Sequence, residues 1–183
     1  NNQLYCAEGG LLLNKNKDTV LGFASGSTKN CQIPESVKII AHNAFENCKS
    51  LESIIFSSNL EIIEENAFTG CSNLVNLEFP ESLKTIGVDS FSNCTNLLKI
   101  TIAKTADTEI ETRAFKGCKL LKEINFSEKM KKIGGAAFAE CCSLVNISIP
   151  ESVEEIENSA FSGCTSLKEV ILPDKITRIA DYT

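Results

Sequence analysis

Cysteine is the residue type in this chain best placed to do chemistry, with nine among 183 residues, against a single histidine and a single methionine. Six of the thiols, Cys48, Cys71, Cys94, Cys118, Cys141 and Cys164, follow one another at intervals of 23 or 24 residues. Metal-binding cysteines come in tight C-x-x-C pairs, and no such pair occurs. As redox centres the six would have to pair across copies of a repeat, and equivalent residues on stacked copies do come close enough for a disulfide. Ladder side chains point in parallel, however, and a buried thiol packs as a small hydrophobe, so a reduced, buried column is expected. Cys6 and Cys31 stand near one end, where pairing is open to them, and Cys142 is out of phase with the rest. His42 has no nucleophile or ligand motif around it and reads as a surface residue. No Gly-rich phosphate loop or metal set accompanies these residues, so no enzyme, no metal and no cofactor is expected.

A regular spacing of this kind is the mark of an internal repeat. Every other apolar position confirms it. Phe45, Phe68, Phe91, Phe115, Phe138 and Phe161 stand three residues before the cysteines, each preceded by alanine except at Ser90. Leu51, Leu74, Leu97, Leu121, Leu144 and Leu167 stand three after. Isoleucine recurs at Ile40, Ile63, Ile86, Ile110, Ile133, Ile156 and Ile179. The unit reads L-x-x-I-x-[FI]-P-x-x-[VL]-x-x-I-x-x-x-A-F-x-x-C-x-x.

Elementary rules convert the unit into elements. L-x-x-I-x-F is a short strand whose inward side chains alternate. The following proline stops it, having no N–H to donate. V-x-x-I is a second extended piece, and A-F-x-x-C suits a 3₁₀ or helical turn with Phe and Cys on one face. One such coil buries too little to fold alone, so copies must stack. The expected fold is a right-handed repeat solenoid. It has a parallel β-sheet on one side, with short second strands and helical turns on the other. In coil four the Phe spacing lengthens by one residue, which places a bulge within residues 103–109, with Asp107 where other coils have Val, Leu or Met. Residues 1–30 depart from the unit. Leu11–Leu13 and Thr19–Phe23 flank a turn composition and predict an N-terminal β-hairpin capping segment. Residues 31–183 then form about six and a half coils. The last stops before its A-F-x-x-C turn with no polar cap, so the chain is expected to be a fragment, its last coil open to end-to-end self-association.

The repeat resembles that of the BspA-like leucine-rich repeat proteins. Ile33-Pro34, Ile149-Pro150 and the Ala-Phe pairs carry the resemblance over about residues 31–180, and the hairpin matches loosely. Ser90 and the missing prolines after Phe56, Ile102 and Phe126 depart from it. The resemblance implies a leucine-rich repeat coil and an adhesin on the surface of, or secreted by, a host-associated microbe or protist. The partners implied are host matrix, host cell-surface or microbial proteins. A net charge of −6 without a basic block argues against nucleic acid, and no apolar run is long enough to insert in a membrane.

Binding should live on the outward strand positions Ser53, Ile55, Asn76, Glu78, Lys99, Thr101, Glu123, Asn125, Asn146, Ser148, Glu169 and Ile171. This row mixes polar groups of both signs with two isoleucines, which suits a protein partner better than a small molecule. The second extended row, including Lys38, Glu61 and Lys84, reads as a solvated flank. Sequons at Asn93, Asn125 and Asn146 would crowd the first row if glycosylated. Cysteines that look unpaired favour a rival reading, a cytoplasmic scaffold or assembly module using the same surface.

Overall fold

The computed structural model describes residues 4–24, 26 and 28–183. The chain winds into a solenoid of parallel strands. Three antiparallel strands open it: β1 (Tyr5–Glu8), β2 (Leu11–Asn14) and β3 (Thr19–Phe23). The β2–β3 pair is the expected hairpin, and β1 adds a strand on its outer edge. Two kinds of short strand then alternate. The L-x-x-I-x-F segments give β4 (Asn30–Gln32), β6 (Ser53–Ile55), β8 (Asn76–Phe79), β10 (Lys99–Ile102), β12 (Glu123–Asn125), β14 (Asn146–Ser148) and β16 (Glu169–Ile171). The V-x-x-I segments give β5 (Ile39–Ile40), β7 (Ile62–Ile63), β9 (Thr85–Ile86), β11 (Glu109–Ile110), β13 (Lys132–Ile133), β15 (Glu155–Ile156) and β17 (Arg178–Ile179).

The continuous sheet lies on the side of the shorter strands. β1, β2 and β3 run directly into the odd-numbered strands from β5 to β17, ten strands in all. The longer strands form three separate sheets, β4–β6, β8–β10–β12 and β14–β16.

The third side is built of turns. Ala44, Glu46 and Cys48 N–H groups donate to carbonyls three residues back, as in a 3₁₀ turn, while Asn43, Phe45 and Asn47 donate to the next coil. Alternate N–H groups therefore point along the solenoid axis, and no helix forms among the described residues. Two left-handed residues per coil make this possible, such as Asn43 (φ 58°) and Asn47 (φ 55°). Down the second of these columns Asn47, Gly70, Asn93, Gly117, Glu140 and Gly163 succeed one another. A Cβ on Gly70 or Gly117 would run into the side-chain oxygen of Asn47 or Asn93, so these two glycines make room for the asparagine of the coil before.

The interior is built of stacked columns, one residue per coil in each. Phe23, Phe45, Phe68, Phe91, Phe115, Phe138 and Phe161 lie face to face, with centroids 4.6–5.6 Å apart. Phe23 comes from the hairpin and closes the ladder at that end. The cysteine column runs beside it, and from Cys71 onward each thiol donates to the Phe carbonyl of the preceding coil: Cys71 to Phe45 at 3.0 Å, Cys118 to Phe91 at 3.3 Å, Cys164 to Phe138 at 3.2 Å. The several Leu, Ile and Val positions of each coil fill further columns, with Phe56 stacked on Phe79 among them. At the bulge the inward place is taken by Ala106, and Asp107 is exposed. The Ala106 N–H bonds Ala103 O at 3.0 Å, as Leu83 bonds Pro80 at 3.2 Å, so the extra residue falls after Ala106. Thr108 turns inward and its hydroxyl donates to Leu83 O at 2.7 Å.

Ser90 stands where the other coils have alanine, and its buried Oγ has no hydrogen-bond partner among the described residues. An orphaned buried hydroxyl costs about 1–3 kcal/mol. Ser90→Ala should therefore raise the folding free energy by about 1 kcal/mol in urea titrations, and an unchanged midpoint would show that the hydroxyl is solvated.

Candidate binding surface

All twelve outward strand positions reach the surface, ten of them exposed and Lys99 and Thr101 half-buried in the central strand β10. Strand register arranges them in rungs. Asn76, Lys99 and Glu123 lie side by side, as do Glu78, Thr101 and Asn125. Asn146 pairs with Glu169 and Ser148 with Ile171. Ser53 and Ile55 pair with Asn30 and Gln32 of β4, two positions that belong to the same row. Ile33-Pro34, in register with the later Ile-Pro pairs, is the sequence signal that marks this strand.

The surface is partly self-satisfied. Lys99 Nζ lies 2.7 Å from Glu123 Oε1, and the Asn125 amide donates to the same carboxylate at 3.0 Å. The lysine and the amide hold Glu123 below the ordinary carboxylate range. The Ser53 hydroxyl donates to Asn30 at 2.7 Å. Where β6 meets β8 there is an open depression of 510 Å³. Ser53, Ile55, Asn76 and Glu78 rim it, and Phe56, Phe79 and Pro80 help to floor it. Ile55, at 62% exposure, is the most prominent apolar group on this face.

The flank is more ordered than a merely solvated face, for Lys38 and Lys84 both pair with Glu61, and Lys131 pairs with Glu154. Over the described residues as a whole, eleven of the twelve close charged contacts join successive coils. Glu64, Glu111 and Glu157 follow the inward isoleucines of alternate coils, with Gly87 and Gly134 between them. Each glutamate accepts a backbone N–H from the coil before: His42 at 2.9 Å, Val88 at 3.0 Å, Gly135 at 2.8 Å. His42 is 75% exposed, with its Nδ1 3.6 Å from Glu64.

The nine cysteines are all free thiols, Cys6 and Cys31 included. Burial pushes Cys31 and Cys164 up to about 11 and Cys71 up to about 12, and holds Cys94, Cys118 and Cys141 well above the usual thiol range. Such thiols are poor nucleophiles and metal ligands. Cys142 is half-buried at the surface, its thiol donating to Glu140 O at 3.3 Å. The sequon residues Asn125 and Asn146 sit on the strand row, and Asn93 in a left-handed turn. Among the described residues no helix is long and apolar enough to cross a membrane.

The BspA type leucine rich repeat region matches this chain in six copies, over residues 22–108 and 100–183. No curated protein shows significant sequence similarity to it. Among solved structures, a leucine-rich repeat protein from Eubacterium ventriosum is 24% identical with a TM-score of 0.65, over 98% of this chain and 52% of its own. The pneumococcal vaccine antigen PcpA is 19% identical with a TM-score of 0.72, over 93% and 48%. The T. pallidum leucine-rich repeat protein is 23% identical with a TM-score of 0.61, over 97% and 81%. These likenesses establish the shared fold, and the chain spans about half the length of the first two proteins.

Proposed function

From the chain's membership of the BspA type leucine rich repeat family, we propose that it is a non-catalytic protein-binding module of a cell-surface or secreted adhesin, and that it binds through the longer-strand face. Supporting this is the rung geometry: twelve outward side chains of mixed character on a laterally extended scaffold, with a 510 Å³ depression beneath Ile55. Such a face offers many weak contacts over a wide area, as protein recognition requires. The chemistry of the thiols and of His42 supplies no competing catalytic reading. One structural neighbour is named as a vaccine antigen, which suits a protein met outside the cell. The free thiols favour a second reading, an intracellular scaffold working through the same face. A glycan mass shift and a thiol count on the natively produced protein separate the two locations.

The site is tested by a charge swap. Lys99→Glu with Glu123→Lys keeps the intramolecular pair but inverts the pattern shown to a partner. Captured on a panel of purified matrix and cell-surface proteins, the swapped chain should bind its best partner about tenfold more weakly, with an unchanged melting curve. Equal capture would move the binding site off this face.

A further inference from the structure

Away from the two ends of the solenoid, the exposed large apolar side chains are Ile55 and a group on one corner. That corner lies between the cysteine turn and the start of the longer strands, and the group is Leu98, Leu120 and Val145, at 36%, 44% and 39% exposure. The coils stack these residues into columns. Leu98 N–H bonds Val75 O at 2.7 Å, and Lys122 N–H bonds Leu98 O at 2.9 Å. Lys168 N–H bonds Val145 O at 2.8 Å, and Ser143 N–H bonds Lys119 O at 3.1 Å. The apolar residues are thus interleaved with Lys119, Lys122 and Lys168, all exposed.

These lysines differ from most others in the chain. Elsewhere along the solenoid, cations such as Lys38, Lys84, Lys99, Arg113 and Lys131 are neutralised by a carboxylate on the adjoining coil. Lys119, Lys122 and Lys168 make no ion pair among the described residues. Carboxylates near them are engaged with other lysines, Glu123 with Lys99 and Glu140 with Lys116. Glu169 follows Lys168 directly but belongs to the outward strand row, so the corner keeps its cations. On a protein of net charge −6, this corner presents positive charge and greasy surface together.

We propose that this corner docks an extended acidic protein segment, running along the solenoid axis. Its apolar side chains settle on Leu98, Leu120 and Val145, and its carboxylates meet Lys119, Lys122 and Lys168. Charge complementarity chooses the occupant, because a net charge of −6 disfavours such a segment over most of the remaining surface. The proposal rests on the protein-binding reading only in taking a protein as the occupant; the corner adjoins the strand face but shares no residue with it.

The probe is a short fluorescent peptide alternating Glu and Leu, measured by anisotropy on the intact chain. Glu–Ser and Lys–Leu peptides and phosphatidylserine vesicles are the comparisons. Glu–Leu should bind best, and more weakly as salt rises. Lys119→Glu with Lys122→Glu should weaken it about tenfold, and Leu120→Ser should weaken it severalfold, with melting curves unchanged. Lys15→Glu with Lys175→Glu, unpaired lysines on the hairpin and in the last coil, should leave it unaltered. Absence of Glu–Leu binding, or equal binding by the corner variants, overturns the proposal. So does capture of vesicles that the peptide fails to displace, which assigns the corner to lipid. Loss on the Lys99–Glu123 swap alone overturns the corner and supports the strand face; loss on the corner variants alone does the reverse.

Discussion

Raised from pH 8 to pH 10, this protein should lose most of its folding free energy. Seven cysteines are buried, and all seven titrate above the ordinary thiol value of 9.0, two at about 11 and one at about 12. Desolvation is the first cause in each, so the folded chain holds these protons while the unfolded chain releases them near pH 9. Stability is therefore intact below that pH and drains away as pH climbs through the folded values. Between the unfolded and folded values, every further pH unit costs about 1.4 kcal/mol for each thiol that stays protonated. Summed down the column by pH 10, that is comparable with the whole stability of an ordinary domain, about 5–15 kcal/mol. Urea midpoints measured from pH 7 to 10 should stay level to about pH 8.5 and then fall steeply. A Cys94→Ala, Cys118→Ala double variant should start less stable but fall less steeply. A flat profile to pH 10 would mean that the thiols are hydrated and that the column is not sealed.

Phe91→Ala should cost about 3–5 kcal/mol, the range for truncating a fully buried aromatic side chain. Its ring is 0% exposed and stacks on Phe68 at 4.8 Å and Phe115 at 5.3 Å, with the edge of Phe79 at 5.6 Å. In a solenoid each coil is held only by its neighbours, so a void in the middle weakens both interfaces at once. Thermal unfolding of the variant should broaden or split as the two halves lose their coupling. Phe161→Ala should cost clearly less, because that ring is 7% exposed and stacks on Phe138 alone. Equal costs at the two sites would mean that the stack does not transmit stability along the axis.

The coil itself is legible in the sequence because burial is repetitive. One inward Phe, Cys, Leu and Ile per turn leaves a spacing that no surface residue disturbs. The hairpin is legible for the same reason, since Leu11, Leu13 and Val20 are core. Strand β1 is not, because its side chains are mostly exposed and its sequence carries no alternation. Phe23 is hidden as the first member of the ring column because it precedes the first Ala-Phe pair. Counting back from Ile110 puts Asp107 at the inward place, whereas the chain takes up the extra residue after Ala106. Which strand side forms the continuous sheet is equally hidden, since hydrogen bonding between coils leaves no mark on side-chain type. On the strand face, orientation is legible from alternation, but the Lys99–Glu123 contact needs the register between coils.

Averaging the copies into one consensus also conceals a second, longer rhythm. Gly70 to Gly117 is 47 residues and Gly117 to Gly163 is 46; the glutamates at 64, 111 and 157 keep the same step. Bulky and bare positions thus take turns, and an alanine at Gly134 would set its Cβ 2.6 Å from the Ile110 carbonyl oxygen. Gene duplication or protein engineering that adds a single coil would set like against like, asparagine on asparagine or glycine on glycine. The array is therefore built to grow or shrink in twos, and the natural cassette for splicing it is the pair.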